Sequence, residues 1–262
     1  MRPDEVIAEL RSRLAGALIA LDFDGTLAPI VEDPQQSRPA PGAIAALRAL
    51  AGRGARIGVV TGRDARTVLR LGGLDAVPGV VIEGLYGLEQ WQDGRLTAPD
   101  TPEPIESLRS SLPGVLTEHR ADGGVWVEDK RLSLVVHTRP AADPAAEQLR
   151  LRGPAEELAA QLGLEVHAGR NVLEFRLPGF DKAGALRRLV GASRPTAVLY
   201  AGDDLGDLPA FGQIAEIRRA GTPAWAVAAA SDEAPAELVG AADVSVDGPE
   251  GVVQLLAELA RA

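Results

Sequence analysis

The sequence predicts an α/β fold in which a small α+β domain is inserted into a parallel-sheet, Rossmann-like core. Short apolar runs without alternation recur near both ends of the chain, and such runs suit strands that are covered on both faces. Helix-like segments lie between several of these runs, which is the order of a parallel α/β sheet. The middle of the chain carries alternating strand patterns instead, which indicate a sheet with one covered face.

The core is predicted to comprise residues 1–97 and 178–262. Its helix patterns follow a proline start or a Gly-Arg turn, as helix beginnings often do. The predicted core strands are 17–22, 56–61, 79–83, 196–202, 224–229 and 242–246, and the predicted core helices are 41–50, 64–71 and 181–190.

The inserted domain is predicted over residues 98–177. It follows the proline-rich stretch TAPDTPEP, which we interpret as a linker, and continues with the strand patterns GVWVEDK and LSLVVHT. The stretch LEVHAGRNVLEFRL indicates a hairpin that turns at Gly169-Arg170-Asn171. The segment 143–163 is predicted to be helical, with Pro154 dividing or restarting the helix.

Composition excludes several classes of function. The 262 residues are 46% hydrophobic, which is enough for a full-sized core, and the absence of cysteine excludes disulfides, zinc–thiolate sites and thiol nucleophiles. A formal net charge of −10 disfavours nucleic-acid binding. No apolar segment approaches the ~20 residues of a membrane span, and no targeting pattern is evident. We therefore expect a cytoplasmic protein with no membrane partner, and a monomer is compatible with the lack of an evident partner-binding stripe.

Carboxylates follow two of the predicted core strands. Asp22 and Asp24 come at the end of the first strand, and Asp203, Asp204 and Asp207 follow the strand 196–202. Ligands of parallel α/β sheets lie beyond the carboxyl ends of the strands, so these acids would line one crevice. So many carboxylates cannot all be ionised there without a cation, and oxygen-only ligands favour magnesium. Magnesium is commonly shared with substrate phosphate, so the predicted substrate is a phosphate ester.

Two further residues have the chemistry to bind a phosphate. Thr61 ends the second strand and precedes a Gly-Arg turn, where exposed backbone N–H groups at a helix start favour an anion. Lys182 begins a predicted helix and, with Lys130, is one of only two lysines among 27 basic residues. Taken singly, each motif has a simpler interpretation, such as a turn, a helix cap or a solvated lysine. Their combination favours a site.

Four motifs occur in a specific order: DFDGTL after a strand, Thr61, Lys182, and GDDLGD after another strand. This arrangement resembles the haloacid dehalogenase-like phosphohydrolases. Within that superfamily, DFDGTLAPIVEDP, VVTGRD, GVWVEDKRLSLVVHTR, NVLEFRLPGFDKAGAL and YAGDDLGDLPAF resemble the trehalose-6-phosphate phosphatase family, and the likeness covers nearly the whole chain. In that family the inserted domain is a cap that selects the substrate.

The resemblance implies a catalytic role for each core motif. Asp22 would be the nucleophile that forms an aspartyl-phosphate intermediate. Asp24 would be the general acid and base, protonating the leaving sugar oxygen and then activating water. Thr61 and Lys182 would bind the phosphoryl oxygens.

The resemblance also implies a magnesium site. Asp22 and Asp203 would supply carboxylate ligands, and the backbone carbonyl of Asp24 would complete the set from the protein. Asp204 and Asp207 would hold metal-bound water or orient Lys182.

The inserted domain carries candidate sugar-binding residues. Trp126, Glu128 and Lys130 share one face of an extended strand, and an indole beside an acid and a base suits a sugar. The resemblance implies that Glu128 and Lys130 bind glucose hydroxyls; a simple ion pair on a solvated strand is the alternative. Less distinctive matches to family substrate-binding positions are Gly25, Arg63, Glu89, His137, Arg139 and Glu174.

The chain departs from the family pattern at positions around sugar recognition. It has Tyr86-Gly87 where the family often has His-Gly, and Thr138 where the family has tyrosine between histidine and arginine. The leading hypothesis is magnesium-dependent hydrolysis of trehalose 6-phosphate to trehalose and phosphate. The alternatives are the same chemistry on sucrose phosphate or on a glucosyl- or mannosyl-glycerate phosphate, and a non-catalytic sugar-phosphate sensor.

Overall fold

The computed structural model describes residues 2–169, 171–231 and 234–261. The chain divides into two compact units, of which the first contains residues up to Thr97 and from Asp181 onward, and the second is Ala98–Phe180. The boundary predicted from the sequence, after residue 177, lies slightly earlier. Met1, Ala262 and the predicted turn residue Arg170 lie outside the described residues.

The helices and strands of the two units follow one another along the chain, and those between Ala98 and Phe180 belong to the second unit. In chain order they are α1 (Pro3–Arg11), β1 (Leu18–Leu21), α2 (Ala43–Gly52), β2 (Arg56–Val60), α3 (Ala65–Gly72), β3 (Val81–Gly84), β4 (Glu89–Gln92), β5 (Arg95–Thr97), α4 (Glu103–Glu118), β6 (Trp126–Asp129), β7 (Leu134–His137), α5 (Pro144–Leu162), β8 (Glu165–Gly169), β9 (Val172–Arg176), α6 (Lys182–Ser193), β10 (Val198–Gly202), α7 (Leu208–Arg219), β11 (Ala224–Ala230), α8 (Ala236–Ala241), β12 (Val244–Asp247) and α9 (Gly248–Ala260). Among the described residues, no helix has the length and apolar character needed to cross a membrane.

The first unit is built around a mostly parallel sheet with the strand order β12-β11-β10-β1-β2-β3-β4-β5. Helices cover both faces of this sheet, which explains why the sequence of β1 is apolar throughout. Ile19 and Leu21 pack into the core that includes α1, α2, α3 and α9, whereas Leu18 and Ala20 pack into the core that includes α6, α7 and α8. The predicted α/β fold with a parallel-sheet core is therefore confirmed.

The sheet extends beyond the strands predicted from the sequence. The strands β4 and β5 add to one edge in antiparallel orientation, with Ile82 opposite Trp91 and Trp91 opposite Leu96. Trp91 and Leu96 are partly buried against the core, while Gln90 and Gln92 alternate with Trp91. This alternation is typical of an edge with one covered face, which is why a search for unbroken apolar runs missed it.

The second unit is a four-stranded antiparallel sheet, ordered β6-β7-β9-β8, packed on α4 and α5. The alternation predicted from the sequence is visible in β7 and β9, where Val136, Leu173 and Phe175 face the helices. Residues of the opposite parity, among them Glu128 and Glu174, lie on the other face because cross-strand partners share a face. The predicted hairpin forms from β8 and β9.

One prediction about proline in this unit is wrong. Pro154 neither divides nor restarts the helix, because α5 is continuous through it. Leu151, Ala155 and Leu158 flank the proline on the buried face, so tertiary packing stabilises the turns on both sides of the lost backbone hydrogen bond. The proline-rich stretch leads directly into α4, which begins at Glu103 with a proline in its first turn.

Candidate active site

The ends of three neighbouring strands bring the predicted catalytic residues together. In the sheet β1 lies between β10 and β2, with Leu21 opposite Ala201. The backbone N–H of Asp22 continues this pairing by donating to the carbonyl oxygen of Ala201 at 2.9 Å. Asp22, Asp203 and Thr61 each come directly after one of these strands, so they lie side by side at the carboxyl ends of the parallel strands.

Two glycines allow the carboxylates at these strand ends to approach the backbone closely. Gly25 has a φ of 75°, and a Cβ placed there would lie 1.9 Å from Oδ2 of Asp203. At Gly202, a Cβ would lie 2.2 Å from Cγ of Asp207. Any side chain at either position would displace an aspartate, so Gly25, predicted as a substrate-binding residue, is required here by packing.

Lys182 lies at the centre of a buried ionic cluster. It begins α6, whose first turn is capped by the carboxylate of Asp181, which accepts a hydrogen bond from the N–H of Gly184. Its Nζ lies 3.1 Å from Oδ2 of Asp22 and 2.8 Å from Oδ1 of Asp207. Burial alone would lower the pKa of Lys182, but the negative charges of Asp207 and Asp22 outweigh it and raise that pKa well above its usual range. The lysine therefore stays charged inside the cluster.

Asp207 is fully buried and accepts hydrogen bonds from four protein donors. Its Oδ1 accepts hydrogen bonds from the Tyr200 hydroxyl at 2.6 Å and from Lys182 at 2.8 Å. Its Oδ2 accepts the backbone N–H groups of Asp203 and Asp204 at 3.1 and 3.2 Å. With four donors on two oxygens, this carboxylate is arranged to position Lys182 and the loop after β10.

The aspartates also form a candidate metal centre. Ligand oxygens of Asp22, Asp203 and Asp207 lie within 4.8 Å of one another. Burial raises the pKa of the Asp22 carboxyl well above its usual range in spite of Lys182, and burial together with Asp204 and Asp207 raises the pKa of Asp203 to about 7. Crowded carboxylates of this kind are stabilised by a cation, and oxygen donors fit a hard divalent ion. Since the oxygens of Asp207 already have four donors, Asp22 and Asp203 are the carboxylates best placed to bind it.

Thr61 is held in a tightly bonded loop between β2 and α3. It is buried, and its Oγ1 accepts the backbone N–H of Arg63 at 3.1 Å. The N–H groups of Leu85 and Tyr86 donate to the carbonyl oxygens of Arg63 and Thr61, both at 2.9 Å. This second loop fixes the backbone of Thr61 and Arg63 at the end of β2.

Two candidate residues have roles that the sequence did not predict, and a third, Asp204, lies near Lys182. Arg63 forms a two-pronged ion pair with Asp24, with both distances 2.6 Å. Glu89 accepts the N–H of Ala65, at the start of α3, at 2.5 Å. Asp204 has an exposed side chain that caps the short turn at Gly206 and lies 3.8 Å from Lys182.

On the second unit, most of the predicted sugar-binding residues lie on one sheet face in two groups, and the residues within each group contact one another. In the first, the rings of Trp126 and His137 are stacked with centroids 4.1 Å apart, and Nε2 of His137 lies 2.9 Å from Oε2 of Glu128. Trp126 is 48% exposed, so its ring remains accessible beside the acid. His137, a less distinctive match to the family's substrate-binding positions, contacts both the tryptophan and the glutamate.

In the second group, Glu174 accepts from Lys130 and from the Ser133 hydroxyl, each at 3.2 Å. Glu174 is buried at the middle of the sheet, so it holds Lys130 toward the strand. Arg139, by contrast, lies in the exposed turn after β7 and outside the paired residues of the sheet.

Residues that the sequence reading missed include Tyr200 and Ser37. Tyr200 is fully buried in β10, and burial raises its pKa, which keeps the phenol neutral and able to donate to Asp207. A hydroxyl within the otherwise apolar stretch AVLYAG was an available signal, since buried phenols need a partner. Ser37, whose hydroxyl lies 3.3 Å from Oδ1 of Asp24, carries no comparable signal in the sequence.

The fold and the carboxylate cluster define a class, the haloacid dehalogenase-like hydrolase fold. A structure of a haloacid dehalogenase-like hydrolase from Bacteroides thetaiotaomicron matches 92% of this chain and 98% of that chain with a TM-score of 0.66 and 17% identity. The C-terminal domain of trehalose-6-phosphate phosphatase from C. albicans matches 98% of this chain and 96% of that chain with a TM-score of 0.75 and 22% identity.

A sequence model of the trehalose-phosphatase family matches residues 20–237, and the chain belongs to this family. Trehalose-phosphate phosphatase from Mycobacterium tuberculosis is 37% identical over 220 residues, which are 76% of this chain and 53% of that protein. The enzyme of the same name from Mycobacterium marinum is 34% identical over 212 residues, 74% of this chain and 50% of that protein. The chain thus spans about half the length of these curated relatives.

Proposed function

We propose that this chain hydrolyses trehalose 6-phosphate to trehalose and phosphate through an aspartyl-phosphate intermediate on Asp22. The observation that carries the proposal is the buried pair of Asp22 and Lys182, 3.1 Å apart, with the buried Thr61 at the end of the neighbouring strand β2. Membership of the trehalose-phosphatase family supports the choice of substrate. The first unit would be catalytic, and the second would select the sugar.

Asp22 is the proposed nucleophile. One of its carboxylate oxygens bonds to phosphorus as the bond from phosphorus to the sugar oxygen breaks, and Asp24 gives the departing oxygen a proton. Asp24 then takes a proton from the water that hydrolyses the acyl phosphate, which restores Asp22. Thr61 and Lys182 donate to phosphoryl oxygens, and such positioning and charge neutralisation account for most catalysis of phosphoryl transfer.

Magnesium is the proposed metal. Asp22 and Asp203 would hold it together with the backbone carbonyl of Asp24, and when bound it neutralises charge on the phosphoryl group and on the carboxylates. Asp204 and Asp207 were predicted either to hold metal-bound water or to orient Lys182. Their distances to Lys182, 3.8 and 2.8 Å, support the second role.

Without metal, the protein should become more stable as pH is lowered from about 8 to about 6. The pKa of Asp203 in the folded protein, about 7, exceeds its usual value of 3.8, so the folded state binds more protons between these values. The free energy of unfolding therefore falls as pH rises through 7. Urea titrations with a chelator across this pH range measure the trend.

Saturating magnesium should flatten this dependence, because it binds the ionised carboxylates of the folded state only. Asp203→Asn should flatten it as well, without metal. A slope that is unchanged in Asp203→Asn would contradict the assignment of the trend to this group.

The sheet face of the second unit supports recognition of a sugar. An accessible indole ring stacks on a histidine beside Glu128, and Lys130 is held within 3.2 Å of Glu174. Sugars present apolar ring faces and rows of hydroxyls, which match an aromatic plate flanked by charged donors and acceptors. The proposed role of Glu128 and Lys130 is to bind glucose hydroxyls.

Glu128→Gln should raise KM for the sugar phosphate about tenfold and leave hydrolysis of a small aryl phosphate nearly unchanged, because a charge-assisted hydrogen bond is weakened. Asp129→Asn is the matched control, since Asp129 is the next residue of β6 and pairs with Arg109 at 2.6 Å. Steady-state kinetics on both substrates separate the effects. Equal losses on the sugar phosphate and the aryl phosphate would rule out a substrate-selecting role.

The test of the whole proposal is phosphate release from a panel of sugar phosphates, with magnesium and with chelator. The panel contains trehalose 6-phosphate, sucrose phosphate, glucosyl- and mannosyl-glycerate phosphates and simple hexose phosphates. Preference for trehalose 6-phosphate that is lost with chelator supports the proposal. Preference for another member keeps the chemistry and changes the substrate, and binding without release from any member indicates a sensor. A cytoplasmic monomer stays a prediction from the sequence.

A further inference from the structure

The guanidinium of Arg63 holds the carboxylate of Asp24 by both oxygens. Nε of Arg63 donates to Oδ2 and Nη2 donates to Oδ1, each at 2.6 Å. Nη1 donates to the carbonyl oxygen of Pro34 at 2.7 Å, and the guanidinium carbon lies 5.8 Å from the ring centroid of Phe23. The arginine is therefore fixed on three sides.

This ion pair is stronger than an ordinary surface pair. The side chain of Arg63 is 17% exposed and that of Asp24 is 35% exposed, so water screens the charges only in part. A planar fork also fixes the plane of the carboxylate, which a single charge would not do. Both the position and the rotation of the Asp24 carboxylate thus depend on Arg63.

The same bonds weaken the prediction that Arg63 binds substrate directly. Three of its five guanidinium N–H groups, one on each nitrogen, already donate to protein oxygens, two of them to Asp24. Its backbone is also fixed, because its N–H donates to Thr61 Oγ1 and its carbonyl oxygen accepts from Leu85. The residue is built to hold another side chain in place.

We propose that Arg63 is a positioning residue that orients Asp24 for proton transfer to the leaving sugar oxygen and from the attacking water. This inference rests on the proposed function, in which Asp24 is the general acid and base. If Arg63 is removed, the Asp24 carboxylate keeps the Ser37 hydroxyl as a described partner but loses the fork that fixes its plane. Proton transfer requires such alignment, whereas binding of the phosphoryl group by Thr61 and Lys182 does not.

The test uses the dependence of the rate on the leaving group. For wild type, Arg63→Gln and Arg63→Lys, kcat and KM are measured with magnesium on aryl phosphates whose phenols range from strongly to weakly acidic, and on an alkyl phosphate. A strongly acidic phenol leaves without a proton, and an alkoxide does not. Arg63→Gln should lose about 100-fold in kcat/KM on the alkyl ester and less than about threefold on the most acidic phenol. The comparison uses kcat/KM because it reports the steps up to departure of the leaving group, whereas hydrolysis of the aspartyl-phosphate uses Asp24 with every ester. Arg63→Lys, which keeps the charge but lacks the fork, should lose nearly as much.

Two comparisons separate positioning from general damage. Arg70→Gln is the matched control, because Arg70 is an exposed arginine of α3 that donates to Gln35 in the same turn as Pro34. It should behave as wild type. In the background of Asp24→Asn, Arg63→Gln should add less than about twofold, since the group that it orients is already absent.

The outcomes distinguish this inference from the proposed function. Equal loss in kcat/KM on all esters, or an undiminished effect of Arg63→Gln in the Asp24→Asn background, would overturn the positioning role while the chain remains a phosphatase. Wild-type behaviour of Arg63→Gln across the series would overturn it as well. A wild-type chain that releases phosphate from none of the esters would overturn the proposed function and this inference together.

Discussion

Asp22→Asn should abolish phosphate release, with a loss of at least about 10⁴-fold in kcat, while the chain stays folded. The amide has the same shape as the carboxylate but is a far weaker nucleophile toward phosphorus. Asp22 is buried, and burial raises its pKa because the folded environment disfavours the charged form. Removing that charge therefore should not destabilise the protein by more than about 1 kcal/mol.

The measurement pairs phosphate release with urea unfolding of the same preparation. Asp143→Asn is the control of matched chemistry, because Asp143 caps α5 in the second unit and asparagine caps helices equally well. It should retain full activity. Turnover by Asp22→Asn above about 1% of wild type, in a preparation free of deamidated protein, would exclude an aspartyl-phosphate on this residue.

The same variant should still bind the substrate. Lys182 and Thr61, which are proposed to bind the phosphoryl oxygens, remain, and Asp22→Asn removes a negative charge that repels the phosphate. Calorimetric titration of the variant with trehalose 6-phosphate measures this directly. Binding retained with turnover lost separates a nucleophile from a residue that only shapes the site.

The core fold could be predicted because the burial of a strand determines the hydrophobicity of its own residues. The run that ends at Leu21 is apolar throughout because both faces of β1 are covered. The proximity of Asp22 and Asp203 then follows from the rule that ligand sites of parallel sheets lie beyond the carboxyl ends of the strands. The Glu128 face of the second unit could be predicted in the same way, from alternation. These features need only periodicity and strand order.

Other features depend on contacts between distant parts of the chain. The partner of Arg63 is 39 positions away in sequence, and Asp207 takes its bonds from Tyr200, Lys182 and a loop backbone. No spacing rule relates such residues, so the sequence could not separate a metal ligand from a positioning carboxylate. Pro154 is a related case, because only the packing around it explains why α5 continues.

Asp207→Ala should destabilise the protein by about 3–5 kcal/mol, because it leaves a buried charge without one of its partners. The side chain of Lys182 is 5% exposed and would retain Asp22, while the Tyr200 hydroxyl and two backbone N–H groups would lose the oxygens that they bond. Each unsatisfied buried donor adds to the cost. Urea unfolding with magnesium present measures the change.

Asp204→Ala is the matched control for this prediction. Asp204 is three positions away on the same loop, but its side chain is 64% exposed and it caps a single short turn. Its loss should cost less than about 1 kcal/mol. Similar destabilisation by the two variants would contradict the central role of Asp207.

Asp207→Ala should lower activity as well as stability, because Asp207 holds Lys182 in position. With Asp207 absent, Nζ of Lys182 loses its 2.8 Å partner and is no longer held on both sides. A phosphate-binding lysine that moves by about 1 Å costs on the order of 100-fold in rate. Asp207→Asn keeps the shape and one acceptor oxygen, so it should fold more stably than the alanine variant and show a smaller loss. If the asparagine variant were as stable as wild type and fully active, the charge of Asp207 would have no part in holding the lysine, and the cluster would be a matter of shape alone.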